Sequence, residues 1–593
     1  MADLARLVAP TTARFADVDP TGGRYALLCD HDTETPQLWL QRDGGRPERV
    51  SDHADAVAFA AFRPGGDGAA LVYGIDRGGD ENQELHLLDR DGDRSTPLAA
   101  TPGARQDFGA FRPDGGALAY TTNGTNGVDV DVVVAPFEGG EARRVLRGHG
   151  LRRVEAWSPC GRFLAIVDEH GALREELHLL DLATGARRPL LGAGPPCLVR
   201  SVRFLADGDL VLVTDAGRDR SGVARLARSD GRLDWWVAAD VDVERIVPAA
   251  DGRRFAVALN HEGYTTLEIH TLGGGRTPVR FALDGVAADL RWHPDSTALL
   301  ATVETPTTPP RPWRFAADGA AAGPMAGLAA ADPVGAAPAI VRVKSFDGRR
   351  LPGLLYRPER VSATRPAPAV MAVHGGPESQ WRPGWHGEVA ALLQRGWSVL
   401  APNLRGSTGY GRVYASLDDG RRRADAFADV SALGRWLAAQ PDVDPGRVAL
   451  FGQSYGGFLT LAGLALTPKL WRAGVAFYGM ADLATFLRDT AAYRRAHRAA
   501  EYGDPTADAE LLAALSPLGR ADAIRAPLLL AHGLRDPRVA PRESRQMAAA
   551  LAARDHPVEH LEIAGEGHGF TKRANRIAVW RRAIAFLAAR LES

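Results

Sequence analysis

The side chain best placed for covalent chemistry is Ser454, in Gly452-Gln453-Ser454-Tyr455-Gly456-Gly457. The apolar run 448–451 before it reads as a buried parallel strand. Residues 458–466 after it read as a helix. A serine in a G-x-S-x-G frame between strand and helix sits on a sharp turn. Its hydroxyl is lifted over the helix N-terminus, whose dipole favours a developing anion. Such a serine attacks acyl carbonyls when a base takes its proton and an acid orients the base. In this frame the acid, then the base, follow the serine along the chain. Asp536, 82 residues on, is the predicted acid, and His568, 32 further, the predicted base. Each comes just past an apolar strand, and glycines flank His568 on both sides. His532 competes as base, but it stands closer to its strand and reads as structural. The oxyanion needs donors fixed in advance. The backbone N–H of Tyr455 is one, and the loop Val373-His374-Gly375-Gly376-Pro377 is placed to supply another.

These residues need a sheet whose strand ends bring them together. Residues 340–348 and 351–358 read as a hairpin. Strands are predicted at 369–373, 398–401, 448–451, 474–478, 527–531 and 558–563. Helices are predicted at 388–394, 424–439, 458–466, 541–553 and 576–591. Apolar strands alternating with amphipathic helices imply a doubly wound, mostly parallel sheet with its ligand site at the carboxyl ends of the strands.

The first half is a repeat. A strand, a Pro/Asp/Gly turn and another strand recur around residues 20, 64, 113, 159, 206, 248 and 294, at intervals of 44, 49, 46, 47, 42 and 46. Half-buried strands follow several copies, as in Glu84-Leu85-His86-Leu87-Leu88 and Glu176-Leu177-His178-Leu179-Leu180. A period of roughly 45 residues is too short for a β-sandwich and fits one propeller blade, so seven copies predict a seven-bladed β-propeller over 1–315. The first ~14 residues are free to pack on the second domain. The acids Glu175 and Glu176 read as a solvated strand start. An Ala/Gly/Pro stretch over 316–339 reads as a linker, and 340–593 as an α/β-hydrolase domain.

Composition narrows the function. The chain has 593 residues, 45% of them apolar and 24% charged, with net charge −1. That balance favours neither nucleic acid nor an anionic membrane. Arginine dominates the basic residues; the lysines are Lys344, Lys469 and Lys572. The three cysteines are scattered and suggest a reducing compartment. The first thirty residues lack a signal-peptide run, and no apolar stretch has membrane-spanning length. The expectation is a cytoplasmic protein with no membrane, nucleic-acid, metal or cofactor partner, and a homo-oligomer is left open.

The motif set resembles the prolyl oligopeptidase family of serine peptidases, most closely its acylaminoacyl-peptidase-like branch. Its carriers are His374-Gly375-Gly376-Pro377, Asn403 to Gly411, Gly452 to Gly457, Tyr502-Gly503-Asp504-Pro505, His532 to Asp536 with Arg538-Val539, and Gly567 to Phe570. The resemblance covers both halves of the chain. It implies Ser454, Asp536 and His568 as triad, and Gly376 and Tyr455 as oxyanion N–H donors. By the same resemblance the Tyr410 hydroxyl joins the oxyanion site and Arg538 binds substrate backbone or carboxylate. It further implies short peptide substrates and a propeller that gates access to them. Dipeptidyl peptidase, prolyl endopeptidase and carboxylesterase activities remain alternatives. The paired glutamates with which dipeptidyl peptidases grip a free N-terminus have no convincing counterpart. Phe477 and Tyr478, with Met480, Phe486 and Tyr493, are candidates for an apolar specificity pocket and equally for core.

Overall fold

The computed structural model describes residues 2–65, 70–89, 92, 94–98, 101, 103–273, 277–328, 332–359 and 361–593. The turn residues Gly66, Asp67 and Gly68 of the second repeat and positions 329–331 of the expected linker lie outside these.

The first half folds into seven sheets, each of four consecutive antiparallel strands, from Ala13–Val18 in the first to Ala322–Pro324 in the last. The recurring Pro/Asp/Gly turns join the first strand of a blade to its second. Side chains hold them shut: Asp19 Oδ1 accepts from the Gly23 N–H at 2.9 Å, and Ser158 Oγ from the Phe163 N–H at 2.8 Å. Second strands such as Leu210–Thr214 are buried along their length, because each lies between two neighbouring blades. A four-stranded blade cannot bury both faces by itself, so the ring supplies its core. The first and last blades meet through side chains. The Phe15 N–H donates to Thr302 Oγ1 at 2.9 Å, and Arg14 pairs with Asp289 at 3.1 Å.

Two expectations are corrected here. The linker does not begin at 316: Ala316 ends the third strand of the seventh blade, and Ala322–Pro324 is its fourth, with Pro324 opposite Trp313. An outermost strand of three residues, largely exposed, needs no apolar pattern, so its Ala/Gly/Pro composition concealed it. Glu175 is not solvated. It is buried, paired with Arg153 at 2.9 Å and with Arg200, and accepts the Val199 N–H at 2.7 Å.

The second half is an eight-stranded sheet. Its strands are β1 (Ala339–Lys344), β2 (Arg350–Tyr356), β3 (Ala367–Val373), β4 (Ser398–Pro402), β5 (Val443–Gln453), β6 (Ala473–Phe477), β7 (Leu528–Gly533) and β8 (Val558–Ile563). They lie in the order β1-β2-β4-β3-β5-β6-β7-β8. The β1–β2 and β2–β4 pairs are antiparallel and the rest parallel. Apolar clusters cover both faces. The helices Arg423–Ala438 and Tyr455–Leu466 pack on one, and Gly387–Gln394 and Arg573–Leu591 on the other. Leu7, Val8 and Ala9, at the end of the N-terminal helix Ala2–Val8, are buried in the second cluster. Between β6 and β7 lie three helices that periodicity missed: Leu483–Asp489, Arg495–Tyr502 and Ala509–Leu515. They are short, and in Arg495–Tyr502 only Glu501 and Tyr502 are buried, so little apolar pattern marks them.

Candidate active site

Strand β5 delivers the serine. Ser454 has φ 57° and ψ −119°, a strained backbone held between β5 and the Tyr455–Leu466 helix. The turn is too tight for side chains on either flank. A Cβ at Gly452 would sit 2.1 Å from the Gly456 carbonyl oxygen, and one at Gly456 2.1 Å from that of Val373.

The expected acid and base converge on this serine from the ends of β7 and β8. His568 Nε2 lies 2.9 Å from Ser454 Oγ, and His568 Nδ1 lies 2.6 Å from Asp536 Oδ2. The other Asp536 oxygen accepts the N–H groups of Arg538 at 2.8 Å and Val539 at 2.9 Å. Burial alone would raise the Asp536 carboxyl. The His568 charge and hydrogen bonds from His532 and His568 outweigh it and hold the group far below the usual carboxylate range. Asp536 therefore faces the imidazole as a carboxylate, fixing Nδ1 as the protonated nitrogen and leaving Nε2 to accept the serine proton. His532 is enclosed. It bonds Ser544 Oγ at 2.7 Å and the Val539 carbonyl at 2.8 Å, and stands 3.3 Å from Asp536 Oδ2, so it braces the acid and is turned away from the serine.

The glycine loop after β3 lies against the nucleophile: a Cβ on Gly375 would meet Ser454 Cβ at 3.3 Å. Gly376 follows at φ 128° with a cis bond to Pro377. His374 anchors the loop through the Gly375 carbonyl at 2.6 Å and Ser407 Oγ at 2.8 Å, and burial pushes its imidazole down to about 4. Tyr410 stands on a neighbouring loop tied to this one by the Thr408 N–H to Ser379 carbonyl bond of 2.8 Å. Asn403 Nδ2 donates to the Tyr410 hydroxyl at 2.9 Å. The phenol keeps its own proton to donate, and burial pushes it up to about 12. Tyr455 begins the helix after the serine. Its ring is clamped from below: its hydroxyl donates to Asp418 Oδ2 at 2.7 Å, and the enclosed Arg423 lies 5.1 Å from its ring centre. Asp418, Asp419 and Glu501 bring carboxylate oxygens within 4.8 Å of one another. Arg423 already pairs with two of these acids, Asp418 at 3.0 Å and Glu501, so the group is an ion-pair cluster.

The expected substrate-binding residues divide. Phe477 is not at the site: it is fully buried between Phe451, Phe570 and Trp580, because the side chains of β6 alternate and this one faces the Arg573–Leu591 helix. Tyr478 is also buried. Its ring packs 4.7 Å from that of His568 and its hydroxyl donates to Gln453, so it positions the base and does not line a pocket. Met480 and Phe486 belong to the core, and Tyr493 bonds Arg105 of the propeller at 3.3 Å. Arg538 is half-exposed and paired with Glu81 of the second blade.

Sequence reasoning missed what the propeller does here. The turn around Gly79 touches the base loop directly: a Cβ on Gly79 would lie 2.5 Å from the Gly567 nitrogen. The fifth and sixth blades hold the loops that follow Gly376 and Tyr410. Arg382 pairs with Glu244 at 2.9 Å, the Gly411 N–H donates to Asp242 at 2.9 Å, and Arg412 pairs with Asp215 at 2.8 Å. Contacts between residues so far apart in the chain leave no local signal.

Residues 385–593 match the prolyl oligopeptidase family. A dipeptidyl aminopeptidase BIII from Pseudoxanthomonas mexicana is 36% identical over 259 residues, covering 42% of this chain and 38% of that protein. An acylamino-acid-releasing enzyme from Sus scrofa is 28% identical over 254 residues, covering 42% of this chain and 35% of its own. The chain thus spans well under two thirds of the length of these curated relatives. The crystal structure of a puromycin hydrolase superposes with TM-score 0.88 at 23% identity, covering 99% of this chain and 96% of that one, and shares the fold.

Proposed function

We propose that the protein is a serine oligopeptidase acting on short peptides, a reading that starts from the match of residues 385–593 to the prolyl oligopeptidase family. The observation that carries the reading is the unbroken hydrogen-bonded line from Ser454 through His568 to Asp536, at 2.9 and 2.6 Å. Ser454 Oγ attacks the peptide carbonyl while His568 Nε2 takes its proton. The same imidazole then protonates the leaving amine, and water hydrolyses the acyl-enzyme by the reverse sequence. Backbone N–H groups of Tyr455 and the Gly375–Gly376 loop, with the Tyr410 hydroxyl, are the donors for the oxyanion.

Within the family we favour an acylaminoacyl-peptidase-like specificity. A dipeptidyl peptidase is the second reading, supported by the 36% identity to the bacterial dipeptidyl aminopeptidase. Anilides of N-acetyl-Ala, free Ala, free Gly-Pro and blocked Gly-Pro separate the two, with Ser454→Ala as control. Fastest release from the acetylated residue supports the first reading, and from free Gly-Pro the second. Preference for blocked Gly-Pro means a prolyl endopeptidase. The Ser454→Ala enzyme is expected to lose at least three orders of magnitude in turnover, and unchanged hydrolysis would overturn the mechanism. Ester cleavage without release of any anilide would mean a carboxylesterase.

A further inference from the structure

Three arginines meet beside the loop that carries Asp536. Thr490 Oγ1 donates to the Arg538 carbonyl at 2.8 Å, and the Ala491 N–H to that of Pro537 at 2.9 Å. These bonds lay the turn before the Arg495–Tyr502 helix along the acid loop. Arg494 lies close enough to both Arg538 and Arg498 to feel their charges. Burial, and then the charges of Arg538 and Arg498, push the Arg494 guanidinium down to about 10. The propeller closes the other side, with Arg105 on Tyr493 and Glu81 on Arg538.

A buried guanidinium ordinarily carries a carboxylate. Among the described residues, Arg494 Nη1 and Arg498 Nε are both buried without a hydrogen-bond partner. The acids around them are committed elsewhere. Glu81 holds Arg538, Asp107 holds Arg105, Glu169 and Glu175 hold Arg153, and Glu501 holds Arg423. Glu378 comes within 3.9 Å of Arg498. Burial and the neighbouring Glu501 raise its carboxyl well above the usual range, while the Arg498 charge pulls it back down. His497 takes one Arg498 N–H on Nδ1 at 2.7 Å, and burial lowers its imidazole to about 4, so it is neutral. Among the described residues Arg494 has no acid at ion-pair distance, and Arg498 has only the long 3.9 Å approach of Glu378.

We propose that Arg494 and Arg498 form an anion subsite that receives a carboxylate of the peptide substrate. A guanidinium fork matches a carboxylate in shape as well as charge. The inference rests on the peptidase reading above and gives it a substrate class: short peptides bearing an acidic residue near the scissile bond, or an unblocked C-terminus close to it. Either source presents the same group to the same two side chains.

The test uses short alanine peptides carrying one Glu or one Gln, each with a free or an amidated C-terminus. Binding to full-length Ser454→Ala protein is read by calorimetry, which needs no turnover, and kcat/KM is then measured on the unaltered enzyme. The peptide with the recognised carboxylate is expected to bind roughly tenfold to a hundredfold more tightly than its neutral counterpart. Loss of that advantage on Glu-to-Gln exchange assigns the side chain, and loss on amidation assigns the C-terminus. Arg494→Gln and Arg498→Gln are expected to bring the ratio close to one, and Arg494→Lys to keep part of it. Equal binding of charged and neutral peptides overturns the subsite while leaving Ser454-dependent hydrolysis untouched. A lowered melting temperature with an unaltered ratio in the glutamine variants also overturns it, because the arginines would then be structural. A retained carboxylate preference with no hydrolysis of any peptide would instead sink the peptidase reading.

Discussion

At the scale of single residues, the site separates groups held charged from groups held neutral. Asp536 is kept ionised by two imidazoles and two backbone N–H groups. His374, at the root of the Gly375–Gly376 loop, is kept neutral by burial, which lowers it from 6.5 to about 4. A histidine whose folded value lies below its unfolded one stabilises the protein above the unfolded value. That contribution is lost as pH falls through the folded one. The window is therefore pH 6.5 down to about 4. A displacement of that size would amount to about 3 kcal/mol for a sealed ring, and partial exposure of His374 reduces it to about 2 kcal/mol. Thermal unfolding measured across this window should fall more steeply in the native protein than in His374→Asn, which has no proton to gain there. Parallel curves for the two would show that His374 does not carry the acid sensitivity.

At the scale of elements, the parallel sheet sets the geometry by bringing β3, β5, β7 and β8 to a common edge. The join between β3 and β5 is tightest at Gly456, where a Cβ would lie 2.1 Å from the Val373 carbonyl oxygen and 2.7 Å from that of His374. Gly456→Ala must push the elbow and the Gly375–Gly376 loop apart. We expect a loss of about 2–3 kcal/mol in stability by denaturant unfolding, together with a fall in kcat. Wild-type values of both would mean that the turn has slack the contacts do not show. This elbow was legible in the sequence because strand, glycines and helix are contiguous there. So were the blades, whose turn chemistry repeats every roughly 45 residues. Asp536 and His568 were legible from their order and their places after apolar strands. Phe477 stayed open between pocket and core because only the sheet decides which way an aromatic at a strand end points. Arg494 and Arg498 passed unnoticed because two more arginines in an arginine-rich chain carry no signal until burial removes their partners. The strand Ala322–Pro324 passed unnoticed for the opposite reason, since an exposed edge needs no pattern at all.

At the scale of the whole molecule, the propeller braces the loops around the Ser454–His568–Asp536 line. Its fifth and sixth blades hold the segments around Arg382 and Gly411, and its second blade meets the base loop where Gly79 lies against Gly567. Gly79 belongs to a propeller turn and touches none of the triad side chains, so a substitution there can reach His568 only across the domain boundary. A Cβ at Gly79 would sit 2.5 Å from the Gly567 nitrogen and 2.9 Å from its Cα, forcing the base loop or the whole blade to move. Gly79 also has φ 76°, so alanine adds backbone strain of about 1 kcal/mol. Gly103→Ala separates the two effects. Gly103 has φ 74° and, among the described residues, nothing within 4 Å of the position its Cβ would take, so it suffers the strain without that contact. We expect Gly103→Ala to lose only the strain, Gly79→Ala to lose more, and only Gly79→Ala to lose kcat, by about tenfold, as displacement of a general base by a fraction of an ångström does. Equal turnover in the two would mean that the base loop holds its geometry without the propeller, and the upper domain would then only restrict access to the site.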